Sequence, residues 1–273
     1  MDYEEGQHVQ KPKYECLLLD VDDTLYAKSS GIAVECMKNI EEYMINKLGI
    51  VDNVRELCAK LYKEYGTTMA GLRAIGYNFD YDEYHSFVHG RLPYELLKPD
   101  PVLRNLLHSI SIRKVIFSNA DKKHVARVIS RLGIEDCFDD SICFESLNPP
   151  AAKGVAKTED QIKDDSHKPN PMLPSTPVIC KPFEDAYEQA FKIANINPQK
   201  TIFFDDSIRN LQTAKSLGLH TVWVGSSQRT NGVDHALESI HNMKEALPEL
   251  WEAIERDIMP CSEKVAVETY VGA

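Results

Sequence analysis

The chain has 273 residues, 43% hydrophobic and 27% charged, enough for one full domain plus a smaller second one around a real core. Forty-two Asp and Glu against 31 Lys and Arg leave a formal charge of −11, which argues against a nucleic-acid polymer as partner because little here would displace its counterions. Seven scattered cysteines without a CxxC pair fit reduced thiols, and no apolar run has the length of a membrane span. The expectation is a cytoplasmic protein with no membrane partner.

The first apolar run, Cys16–Leu19, stops at Asp20 and reads as a buried strand running into an acidic loop. Ile32, Cys36, Ile40, Tyr43, Met44 and Leu48 then fall along one side of a helix. Leu57, Leu61 and Tyr65 indicate a second helix ending near Gly66, and 67–75 and 80–88 two more parted by Gly76. After Pro99 the rhythm alternates: strand 115–117, helix 121–132 closed by Gly133, short strand 142–144, strand 201–204, helix 207–217 closed by Gly218, strand 221–224. Such alternation predicts an α/β fold, a parallel sheet flanked by helices. The expected domains are a core over 1–27 and 99–260 and an all-helical cap over 28–98. Within the core, 147–178, with Pro149, Pro150, Pro169, Pro171, Pro174 and Pro177, reads as a mobile insertion. The stretch 235–257 has helical spacing around Trp251, and 261–273 reads as a flexible tail.

Chemistry-bearing residues gather at the ends of these strands. Asp20-Val21-Asp22-Asp23-Thr24-Leu25-Tyr26 sets two carboxylates one residue apart at the carboxyl end of a central strand, where open α/β sheets bind ligands. Asp20 suits a nucleophile, and Asp22, in the opposite protonation state, a proton donor to a leaving oxygen. Phe117-Ser118-Asn119-Ala120 ends a strand before a helix and can cradle a phosphate, or simply cap the helix. Lys181-Pro182 is expected to open a helix, with Lys181 neutralising phosphate and nucleophile. Phe203-Phe204-Asp205-Asp206-Ser207, with Asn210 a turn on, offers oxygen ligands that suit Mg2+ better than zinc; the alternative is capping by Asp206 or Ser207.

In this order the four motifs resemble the haloacid dehalogenase superfamily, from Tyr14 to about Val224. The resemblance implies a Rossmann-like core, a C1-type helical cap and an aspartyl-phosphate intermediate. It makes Asp20 nucleophile and metal ligand, and Asp22 the acid/base whose backbone carbonyl binds Mg2+. Thr24 braces the loop, Ser118 and Asn119 hold the phosphoryl group, and Lys181 bridges phosphate and Asp20. Asp206 aligns with the direct metal ligand, with Asp205 acting through a water. The stretch from Tyr65 to Arg73, the Leu97-Lys98-Pro99-Asp100 motif and the segment from His85 to Tyr94 are similar to the pyrimidine 5′-nucleotidase-like branch. That branch has fungal and plant members, a xanthosine monophosphate phosphatase among them. The implied partner is a small phosphorylated metabolite, a nucleoside monophosphate, with sugar phosphates or pyridoxal phosphate as alternatives.

Arg73 and Tyr94 are candidates to touch substrate from the cap. The aromatic group Tyr77, Phe79, Tyr81, Tyr84, Phe87 and Tyr94 fits a small cap core better than a base-stacking face. His85 and His89 share a helix face, but no Glu follows His85 as a zinc-protease pattern requires. Two rivals stand beside phosphoester hydrolysis. Dehalogenation needs neither Asp22 nor a metal, so the full acidic set disfavours it; a non-catalytic binding protein has no reason to keep every catalytic position.

Overall fold

The computed structural model describes residues 13–150 and 175–251. Its centre is three strands with nearly every side chain buried: β1 (Cys16–Leu19), β2 (Arg113–Phe117) and β4 (Thr201–Asp205). Strands covered on both faces read as continuous apolar runs. The edges are β3 (Asp140–Ile142) on one side and β5 (His220–Val224) and β6 (His235–Leu237) on the other. The six-stranded order is β3-β2-β1-β4-β5-β6, with every pairing parallel. It is an α/β fold with a Rossmann-like sheet, and all strands deliver their carboxyl ends to one edge.

Alternation along the strands divides the core. Leu17, Leu19, Ile116 and Phe204 face α5 (Pro101–His108) and α6 (Lys122–Leu132) through Leu103, Leu107, Val125 and Val128. Leu18, Val115, Phe117 and Phe203 face α8 (Glu184–Ala194) and α9 (Ile208–Ser216) through Ala186, Tyr187, Ala190 and Leu211. Between β1 and β2 lie α1 (Ile32–Asn46), α2 (Val54–Tyr65), α3 (Thr68–Ala74) and α4 (Tyr81–Val88). They enclose their own apolar cluster around Tyr43, Met44, Leu61 and Tyr84, joined from the sheet side by Phe144, Val178 and Cys180. Local chemistry sets the ends of several helices: the side chains of Thr67, Asp80, Asp100 and Asp121 accept from first-turn N–H groups of α3, α4, α5 and α6.

The sequence reading needs four corrections. The strand expected over 142–144 is β3 at Asp140–Ile142, and Phe144 opens a short helix, α7 (Phe144–Leu147). The helix expected over 235–257 begins instead as β6, because pairing with Val222–Val224 captures those residues; short turns and α10 (Met243–Ala246) follow. Pro182 does not open a helix: its peptide with Lys181 is cis, and α8 starts at Glu184. α5 was not anticipated, although Asp100-Pro101 caps it and Leu103 and Leu107 lie one turn apart on its buried side. Trp251 packs on the core, donating from Nε1 to Ser109 Oγ at 2.8 Å. Most of the proline-rich insertion and the whole of the expected tail lie outside the described residues.

Candidate active site

Backbone pairing fixes the floor of the site. The N–H of Asp20 donates to Phe204 O at 2.9 Å, extending the β1–β4 register by one residue and bringing Asp20 beside Asp205. Thr24 and Leu25 turn back to donate to Val21 O, and Thr24 Oγ1 donates to Asp20 Oδ2 at 3.3 Å. The Asp-x-Asp loop is thereby wound tightly over the strand end, with Asp23 in the left-handed region at φ 58°.

Lys181 is the charge at the centre. Fully buried, its Nζ donates to Asp20 Oδ1 at 2.8 Å, to Asp205 Oδ2 at 2.8 Å and to Phe117 O at 2.7 Å, using all three ammonium protons. Burial favours its neutral form, but Asp20 and Asp205 outweigh that and raise its pKa. Asn119 holds the backbone of Lys181 from the end of β2: its Oδ1 accepts from Lys181 N at 2.8 Å and its Nδ2 donates to Lys181 O at 3.0 Å. The Asn119 side chain thus grips the backbone of Lys181 at both its N–H and its carbonyl. Ser118 is buried and does not cap α6, a role Asp121 takes; its Oγ accepts from Ala120 N at 3.1 Å.

The carboxylates outnumber this lysine. Asp20, Asp205 and Asp206 bring one oxygen each within 4.8 Å of one another. Asp205 accepts from Lys181, Ser207 N and both ways from Asn210 Nδ2. Asp206 has no side-chain hydrogen bond among the described residues and lines the cleft, so neither it nor Ser207 caps α9 through its side chain. Burial, then repulsion from Asp205 and Asp23, pushes Asp206 up to about 7. Burial likewise lifts Asp20 well above the usual carboxylate range, against the pull of Lys181 and with Asp205, Asp206 and Asp22 adding to the rise. Excess negative charge held on oxygen donors is what a hard divalent cation neutralises.

Asp22 is held by two side-chain donors. Its Oδ1 accepts from Tyr26 OH at 2.5 Å and from His124 Nε2 at 2.7 Å. Burial would raise its pKa, but the charge on His124 and these two bonds overcome that and hold it at about 2. The two carboxylates have environments that push their pKa values in opposite directions, Asp20 up and Asp22 down. Burial lowers the pKa of His124, and Asp22 more than restores it. Neither Tyr26 nor His124 was singled out from sequence. Tyr26 stands four residues after Asp22 in the quoted motif, while His124 carries no sequence signal beyond falling three residues after the capping Asp121.

Above this floor is a cleft of ≈260 Å³, walled on the helical side by Cys36, Ile40, Tyr62, Met69, Tyr84 and Val88. Arg73 and Tyr94 do not line it. The Arg73 guanidinium donates to Tyr77 O and Asn78 Oδ1 and lies over the rings of Phe79 and Tyr81. Tyr94 OH meets His89 O and His124 Nδ1. Phe79, Tyr84 and Phe87 pack on Tyr43 as a cap core. His85 and His89 do face the cleft, and with Asp121 they bring ligand-type atoms within 4.8 Å. His89 Nδ1 is already bonded to Asp121 Oδ1.

A parallel sheet whose strand ends carry a paired-aspartate loop, a serine and an acidic pair, with a buried lysine reaching in from the segment before α8, defines a hydrolase of the α/β class. The profile of the haloacid dehalogenase-like hydrolases matches residues 14–218, and the chain belongs to that family. Phosphate metabolism protein 8 of Saccharomyces cerevisiae is 28% identical over 218 residues, 76% of this chain; the match spans 60% of that relative's length. Among solved structures, CbbY from Rhodobacter sphaeroides in complex with phosphate aligns at TM-score 0.55 and 18% identity, over 87% of this chain and 99% of its own. A HAD phosphatase from Thermococcus onnurineus aligns at TM-score 0.50 and 16% identity, over 85% and 96%. At such identities these structures establish the fold alone. No helix among the described residues is long and apolar enough to cross a membrane.

Proposed function

We propose that the chain is a Mg2+-dependent phosphomonoesterase working through an aspartyl-phosphate, with a nucleoside 5′-monophosphate as substrate, in the manner of the pyrimidine 5′-nucleotidase-like branch. The observation that carries the chemistry is the Lys181 ammonium bonded at once to Asp20, Asp205 and the end of β2. It fixes one Asp20 oxygen and lends positive charge where a phosphoryl group would sit. Asp20 attacks phosphorus, the bond to the ester oxygen breaks, and Asp22 gives that oxygen its proton. Asp22 then takes a proton from the water that attacks the aspartyl-phosphate, and inorganic phosphate leaves with Asp20 restored. A phosphate dianion beside Asp22 raises its proton affinity above the low value of the free site, which both the acid and the base role need.

Asp20, Asp206 and the Asp22 backbone carbonyl would hold Mg2+, with Asp205 acting through a water because its own oxygens are engaged by Lys181, Asn210 and Ser207. Bound there, the cation would neutralise the acidic set and offset charge on the transferring group. Ser118 and the Asn119 backbone would receive the phosphoryl oxygens. The helical segment over 28–98 serves as the cap, presenting Tyr62, Met69 and Tyr84 to the remainder of the substrate. A cleft of ≈260 Å³ is at the small end of ligand sites and fits a metabolite, not a polymer. Asp22 and the acidic pair favour phosphate over halide as the leaving chemistry, since halide departure needs no proton.

The test is phosphate release from a panel of nucleotides, sugar phosphates and pyridoxal phosphate, each with Mg2+ and with chelator. Nucleoside monophosphates should give the highest kcat/KM, and Asp20→Asn should abolish turnover. A large preference for another class would overturn the substrate assignment, and an active Asp20→Asn the mechanism.

A further inference from the structure

Asp22 is held by one oxygen only. Tyr26 OH and His124 Nε2 both bond Oδ1, while Oδ2 has no partner among the described residues, and the side chain, 40% exposed, borders the cleft. His124 is in turn held at three points. Its backbone N–H donates to Asp121 Oδ2 at 3.2 Å in the first turn of α6. Its Nδ1 lies 2.8 Å from Tyr94 OH, and its ring packs 4.5 Å from that of His89. His89, which follows α4, connects these supports: its Nδ1 bonds Asp121 Oδ1 and its carbonyl accepts from Tyr94 OH at 3.0 Å. Because Tyr94 gives its one proton to His89 O, its oxygen is the acceptor for His124 Nδ1–H. The imidazole is only 2% exposed and has no freedom to turn.

We infer that His124 is a positioning residue for the acid/base step: by pinning Oδ1 of Asp22 it turns Oδ2 into the cleft as the oxygen that exchanges the proton. The end of α4, through His89, and the return through Tyr94 thereby reach the acid/base group. The inference deepens the phosphatase reading and rests on it. A hydrogen-bond donor at this point is what the role requires. A glutamine can reach Oδ1 with its amide nitrogen and a leucine cannot.

The experiment separates the step that needs a proton from the one that does not. Wild type, Asp20→Asn, His124→Leu and His124→Gln are compared in Mg2+ on p-nitrophenyl phosphate, whose leaving group departs unprotonated, and on an alkyl phosphate. His124→Leu should lower kcat for the alkyl ester by about tenfold or more, with KM within about twofold. The pre-steady-state burst of nitrophenolate should survive, which also shows the variant folded. His124→Gln should recover most of the alkyl-ester rate. A nitrophenolate burst slowed as much as the alkyl-ester turnover, or a glutamine variant no better than leucine, would overturn the placement of Oδ2 while leaving the phosphatase reading intact. A wild type inactive on both probes, or an active Asp20→Asn, would overturn that reading and this inference with it.

Discussion

At the scale of single residues, the site is a contest between buried charges, and Lys181 decides it. The ammonium separates Asp20 from Asp205, and all three groups are largely out of solvent. Removing one partner from such a set leaves the others unpaired in a low dielectric, at a cost of about 3–5 kcal/mol. Lys181→Met, which keeps the stem and deletes the charge, should therefore lower unfolding free energy by about that much at pH 7, with phosphatase turnover lost. At pH 5 the loss should shrink, because protonating Asp20 removes the repulsion; urea unfolding at the two pH values checks both statements. A destabilisation below about 1 kcal/mol at pH 7, the range of an exposed pair, would mean Lys181 does not carry this charge balance. Asp20 and Asp205 were legible in the sequence because each closes an apolar strand, and Lys181 because it fell in order between those strands' motifs. Their allegiances were not. Asn119 holds the lysine backbone with its side chain, and Asp22 is bonded by a histidine 102 positions away, contacts that no local spacing encodes.

At the scale of elements, the junction of α2 and α3 touches the Lys181–Pro182 backbone directly. Gly66 ends α2 at φ +81°, and a Cβ placed there would come within 2.4 Å of Lys181 O and 2.7 Å of Pro182 Cδ. Gly76 has φ +100° with nothing within 4 Å of its Cβ position. Gly66→Ala and Gly76→Ala thus share the left-handed strain of about 1 kcal/mol but differ in the clash. Gly66→Ala should lose about 1–3 kcal/mol more and lower kcat by displacing the Lys181 backbone, whereas Gly76→Ala keeps kcat. Equal effects on melting temperature and turnover would show that this contact does not matter. The same comparison of elements explains what the sequence could reveal of the fold. β1, β2 and β4 were readable because burial on both faces forces unbroken apolar runs, and α6 because Asp121 and Gly133 mark its two ends. β6 is three residues long at a sheet edge, and only its pairing with β5 distinguishes it from the helical periodicity downstream. Proline at 182 reads as a helix start, but the helix begins two residues later, at Glu184.

At the scale of the whole molecule, a chain of net charge −11 concentrates further acid at one edge of its sheet. Asp206, lifted to about 7 by burial and by Asp205 and Asp23, binds protons more readily folded than unfolded. For a carboxyl raised in this way the folded state carries the extra proton between the unfolded value near 4 and about 7. Its contribution therefore falls as pH rises through that window. In chelator, the melting temperature of the wild type should accordingly decline from pH 5 to 7.5 more steeply than that of Asp206→Asn, and the variant should be the more stable at pH 7.5. Mg2+ should reverse the ranking. A cation binding only the native state adds about 2.7 kcal/mol at a hundredfold excess over Kd, and it meets most of its charge complement at Asp20 and Asp206. Wild type should gain that stability and lose its pH slope, while Asp206→Asn should gain little. Calcium would tell whether the gain needs octahedral geometry or only charge, since both ions take oxygen ligands but Mg2+ demands the tighter shell. Parallel pH slopes for the two proteins in chelator would show that Asp206 does not take up the extra proton, and an equal Mg2+ shift in both would remove Asp206 from the cation site and leave Asp205, despite its hydrogen bonds to Lys181 and Asn210, as the direct ligand.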